Sequence, residues 1–68
     1  MSYQISNSPI RLITGKEVAR ILNISRSYAY LLMKQGVIPT IRIGRTVRVS
    51  YEDLLELIEN STVNAKTQ

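Results

Sequence analysis

A mainly α domain with a small β-hairpin is predicted for this chain by three local features in a fixed order. Thr14-Gly15-Lys16-Glu17 opens an apolar helix with a capping box: the threonine oxygen accepts a first-turn N–H and the glutamate reaches back. Asn23-Ile24-Ser25 then turns the chain into a second helix. Ile41 to Val49 alternates apolar residues with arginine, as a half-buried hairpin does. Helix-turn-helix, hairpin wing and C-terminal helix, in that order, make a winged helix-turn-helix.

Each element has its own local cause. Residues 1–10 are rich in Ser, Asn and Gln and are expected to be a flexible tail, as are residues 60–68, leaving 11–59 as the domain. Val18, Ala19 and Leu22 form the apolar face of the first helix, which Asn23 ends because asparagine tolerates a left-handed backbone. Ser25 caps the second helix, Arg26 to Gln35, with Lys34 favoured by the dipole of its last turn and Gly36 as its left-handed terminator. Pro39 begins an extended segment. Keeping Ile41, Ile43, Val47 and Val49 on one face requires a three-residue loop, Gly44-Arg45-Thr46. Ile43 then sits opposite Val47 and Ile41 opposite Val49, with Arg42 and Arg48 outward and Arg45 off the tip. Ser50 caps the last helix, and Glu52 and Asp53 suit its first turn. The expected core is Val18, Ala19, Leu22, Ile24, Ala29, Leu32, Ile38, Ile41, Ile43, Val47, Val49, Leu54, Leu57 and Ile58.

Composition narrows the function. Sixty-eight residues make one small domain, burying only roughly 60% of the surface the unfolded chain exposes. With no cysteine and no histidine, disulfides and thiolate or imidazole metal sites are excluded, and no metal or cofactor is expected. No nucleophile, base and orienting group can be assembled, so an enzyme is not expected. No apolar run approaches the roughly 20 residues of a membrane span, and Met1 to Pro9 lacks the features of a signal peptide. A cytoplasmic protein, nucleoid-associated when bound and without a membrane partner, is expected.

The net charge of +4 is unevenly placed. Arg11, Lys16, Arg20, Arg26, Lys34, Arg42, Arg45 and Arg48 share their stretch with a single acid, Glu17, whereas Glu52, Asp53, Glu56 and Glu59 gather in the last helix. Such a chain can turn a positive face to a polyanion and its negative face away. At roughly 100° per residue, Ala29, Leu32 and Met33 define the buried side of the second helix, and Ser27, Leu31 and Lys34 point the opposite way with Tyr30 beside them. Arg26 stands at the end where recognition helices usually enter the major groove, and arginine binds guanine O6 and N7 bidentately. Ser27 can bond phosphate or a base edge, and Leu31 can meet a thymine methyl. A partner protein covering Tyr30 and Leu31 is the alternative. Tyr28, on the other flank, either packs against the wing or touches a phosphate. Arg45 at the tip suits a narrow minor groove, with Arg42 and Arg48 on phosphates. Thr14, Lys16, Ser25 and Thr46 complete the candidate DNA contacts.

One run of residues carries a family resemblance. Leu12-Ile13-Thr14, Glu17 through Ser27, Tyr30, Leu32, Gly36 through Pro39, Arg42 through Val49 and Asp53-Leu54 together resemble the excisionase-type winged helix-turn-helix family, a relative of the MerR DNA-binding head. The likeness covers roughly residues 12–59. Asn23 replaces a more usual turn glycine, Ala29 a common valine and Val47 a common aromatic. The resemblance implies a recombination directionality factor of a prophage or other bacterial mobile element, which binds and bends double-stranded DNA near an attachment site. Its partners would then be an integrase and neighbouring copies of itself. Lacking the long dimerisation helix and effector domain of MerR-type sensors, the chain is expected to take no small-molecule effector. The alternatives are a small transcriptional regulator of such an element and a protein-interaction adaptor.

Overall fold

Six elements follow one another in the computed structural model, which describes residues 10–63: β1 (Leu12–Ile13), α1 (Gly15–Leu22), α2 (Arg26–Lys34), β2 (Ile41–Ile43), β3 (Thr46–Ser50) and α3 (Tyr51–Ser61). The helix-turn-helix, hairpin and final helix occur in the predicted order. α3 continues through Ser61, beyond the expected boundary at residue 59, and the tail expectations for residues 1–9 and 64–68 lie outside the described residues.

The helix ends follow their local chemistry. Thr14 Oγ1 accepts the Glu17 N–H at 3.1 Å, and the Glu17 carboxylate accepts the Thr14 N–H at 2.9 Å. Asn23 takes the left-handed conformation, φ 59°, and the next N–H, from Ile24, bonds back to the Ala19 carbonyl at 3.0 Å. Ser25 accepts the Tyr28 N–H at 3.1 Å at the start of α2, and Gly36 closes that helix with φ +81°. Ser50 accepts the Asp53 N–H at the start of α3.

The hydrogen bond from the Thr14 backbone N–H is the main reason that the Glu17 carboxyl titrates below the ordinary glutamate range. A carboxyl depressed in the folded state stabilises it fully above the unfolded value, about 4.3, and progressively less as pH falls through the lower folded value. Glu17→Ala is therefore expected to lower the urea midpoint at neutral pH, with the gap from the parent chain narrowing below about pH 4. A gap constant with pH contradicts this role.

Ile13, Val18, Ala19, Ala29, Met33, Ile38, Val49 and Leu54 form the buried core, with Leu22, Ile24, Leu32, Val47, Tyr51, Leu57 and Ile58 packed against it. Ala19 and Ala29 are the buried alanines of α1 and α2. The sheet has the order β1-β3-β2, and its first strand is an addition to the expected fold: Leu12 lies opposite Ser50 and Ile13 opposite Val49. Arg11 extends this join, its guanidinium 4.5 Å from the Tyr51 ring centroid and its carbonyl accepting the Tyr51 N–H at 2.7 Å.

The hairpin departs from expectation by one residue. Ile41 pairs with Arg48, Arg42 with Val47 and Ile43 with Thr46, so the loop is the two-residue Gly44-Arg45. Gly44 has φ +60°, the conformation that tight hairpins demand at their first loop position and that glycine adopts freely. Turn geometry thus overrides the segregation of apolar residues to one face. Val47 and Val49 still face the helices, but Ile41 and Ile43 lie on the opposite face and leave the predicted core; Ile43 is 66% exposed. Arg42 and Arg48, expected to point outward together, lie on opposite faces of the hairpin instead, because cross-strand partners share a face.

Candidate nucleic-acid interface

The candidate interface is built on α2. Its caps fix where the helix begins, and the burial of Ala29 and Met33 fixes its rotation. With that side turned inward, Arg26, Ser27, Leu31 and Lys34 are exposed along the outer side. Tyr28 is also exposed, on the flank. Ser25 Oγ accepts the Tyr28 N–H, which leaves its own hydroxyl proton for an outside acceptor. Thr14, in contrast, directs its hydroxyl to the Glu17 carboxylate at 3.3 Å while accepting the Glu17 N–H, so both of its polar functions are used inside the cap. Lys16 is exposed in the first turn of α1.

Tyr30 does more than flank this stripe. Its ring lies over Gly15 so closely that a Cβ there would stand 2.5–2.9 Å from three ring carbons. Gly15 is therefore the seat of Tyr30 at the start of α1, a role beyond the helix-capping one its position implies. A glycine inside a capping box, where most residues form helix better, is the signal that marks it. Gly15→Ala is expected to expel the half-exposed Tyr30 ring from this seat without unfolding the chain. Aromatic proton spectra should then show changed Tyr30 shifts with the core signals kept. Unchanged Tyr30 shifts would remove the seat.

The wing meets α2 along a notch lined by Tyr30, Met33 and Lys34 from the helix side and Thr40, Arg42 and Val47 from the chain leading into and through the hairpin. Thr40 ties the connection down by donating its hydroxyl to the Ile38 carbonyl at 2.8 Å. Arg42 and Lys34 are thus brought together, whereas Arg48 folds back along its own strand and donates to the Val47 carbonyl at 2.8 Å. Arg45 and Thr46 are exposed at the hairpin end, beside the exposed Ile43. No charged residue between Glu17 and Glu52 is acidic, so α2 and the wing form one acid-free region. Among the described residues, no cluster of carboxylates is placed to hold a metal ion, and no helix is long and apolar enough to cross a membrane.

Comparison with known proteins agrees with this architecture. The model of a helix-turn-helix domain family matches residues 12–62. The Bacillus subtilis "Uncharacterized protein YvgK" is 45% identical over 47 residues, which is 69% of this chain but 15% of that protein. A Mycobacterium tuberculosis protein bearing the name "Putative DNA-binding protein", found in two strains, is 33% identical over 55 residues, covering 81% of this chain and 70% of its own length. This chain therefore spans only a small part of the Bacillus relative. No solved structure matches it significantly.

Proposed function

Because this chain belongs to the helix-turn-helix domain family, we propose that it binds double-stranded DNA sequence-specifically, as an excisionase-type recombination directionality factor. The observation that carries the DNA reading is the joining of α2 and the arginine-bearing wing along one acid-free notch. In this reading α2 enters the major groove, with Arg26 on a base edge, Ser25, Ser27 and Lys34 on phosphate or base edges, and Leu31 against a thymine methyl. Arg45 reaches the adjoining minor groove and Thr46 steadies the tip. Tyr28, Tyr30, Lys16 and Arg48 border the contact. Thr14 shapes it through the α1 cap. The excisive role rests on the family resemblance of residues 12–59: the protein would bend DNA beside an attachment site and touch the integrase that performs the cleavage, neighbouring copies lying side by side.

The same DNA-facing surface also serves a second reading, a small transcriptional regulator of a mobile element or prophage. Capture of host genomic fragments on the purified chain, followed by sequencing, separates the two. Clustered direct repeats beside an attachment site support excision. A single inverted repeat upstream of a gene supports the regulator. Retention without sequence preference overturns specific recognition, and weak retention with almost no salt dependence leaves the adaptor.

On the captured site, Arg26→Ala is expected to relax preference at one or two base pairs, each worth about 1–3 kcal/mol. Equal weakening on every sequence would make Arg26 a phosphate contact only.

A further inference from the structure

We propose that the notch between α2 and the wing is the seat of a single DNA backbone phosphate, held jointly by Lys34 and Arg42. The inference rests on the DNA reading above and adds to it a specific ligand group and two cooperating residues.

Its origin is the hairpin register. The two-residue Gly44-Arg45 loop sets Arg42 opposite Val47, on the face of the wing that turns toward α2. A loop one residue longer would send Arg42 to the other face. As built, Arg42 shares the notch with Lys34 from the last turn of α2, and no carboxylate is among the lining residues. Two like charges facing one concavity repel each other unless an anion lies between them. Met33 and Val47 supply an apolar floor beneath the two exposed cations, so nothing within the notch other than Lys34 and Arg42 carries charge. Thr40 spends its hydroxyl proton on the Ile38 carbonyl, so it holds the connection rigid and leaves the ligand to the two cations. The Tyr30 ring, seated on Gly15, also lines the notch.

The geometry of the duplex identifies the anion. Major and minor grooves are separated by a sugar–phosphate backbone. A helix in one groove and a hairpin tip in the next must let that backbone pass between them, and the notch is the place where α2 and the wing meet. A phosphodiester offers two non-bridging oxygens, one for each cation.

The salt dependence of binding to a short fluorescein-labelled duplex of generic sequence tests the seat, using Lys34→Gln, Arg42→Gln and the double variant in the full chain. The logarithm of affinity falls with the logarithm of salt by about 0.9 for each phosphate neutralised. If one phosphate is shared, each single variant binds more weakly yet keeps most of the slope, and the double variant loses about one unit. A loss of about one unit in each single variant and about two in the double would mean two separate phosphates and overturn the shared seat. Unchanged slopes in all three, with Arg45→Ala still lowering its own, would overturn the seat and leave the DNA reading standing. A parent chain without salt-dependent binding would overturn both.

Discussion

Leu54→Ala is expected to cost the chain about 2–5 kcal/mol of folding stability. Leu54 is completely buried and is the one fully enclosed residue of α3, so it holds that helix to the core. Truncating a buried leucine to alanine costs about 2–5 kcal/mol, because lost transfer energy is joined by the cavity left behind. At about 0.05–0.15 kcal/mol per residue, a domain of this size has only about 3–10 kcal/mol in total. One substitution therefore removes a large share of the stability. Leu55, next in the helix but 44% exposed, is the control, and its alanine variant is expected to stay within about 0.5 kcal/mol of the parent. Urea unfolding followed by circular dichroism measures both. A Leu54→Ala loss below about 1 kcal/mol would place α3 outside the cooperative unit.

Arg45→Ala is the second large effect, and it falls on binding instead of folding. Arg45 is exposed in a two-residue loop, where its side chain contributes nothing to the core. Its removal is expected to weaken binding on every sequence and to lower the magnitude of the salt slope by about one unit, with thermal stability unchanged. Binding isotherms at several salt concentrations, on both the captured site and a generic duplex, give affinity and slope together. Unchanged affinity and slope would take the wing tip out of the interface.

What the sequence made legible was local. The Thr14–Glu17 box, the left-handed Asn23, the Ser25 and Ser50 caps and the terminating Gly36 are each decided by a side chain and the backbone a few residues away. Periodicity likewise oriented α2, since Ala29 and Met33 must face the core whatever lies beyond them. Tertiary pairings were not legible. β1 is two residues long, too short for alternation to mark, and it exists because Ile13 and Val49 pair across the sheet. The Arg11 contact with Tyr51 and the seat of Tyr30 on Gly15 join residues about 40 and 15 positions apart; the glycine in the capping box marks a close approach, but no local pattern names its partner. For the wing, apolar alternation argued for a three-residue loop and glycine for a two-residue one. A single residue separates the two registers, yet it exchanges the faces of β2. Keeping every apolar residue on one face would place Ile43 in the core. Its exposure follows from the turn chemistry of Gly44.

The central claim, that α2 and the wing form one DNA-binding face, is tested most directly by titrating the isotopically labelled chain with duplex DNA and following every backbone amide. The expected result is a contiguous set of shifted amides running through residues 25–34 and 40–48, with those around Glu52, Glu56 and Glu59 unmoved. Shifts confined to α3, or to the apolar groove between Leu22, Leu32 and Ile58, would contradict that claim and move the interface to another side of the protein.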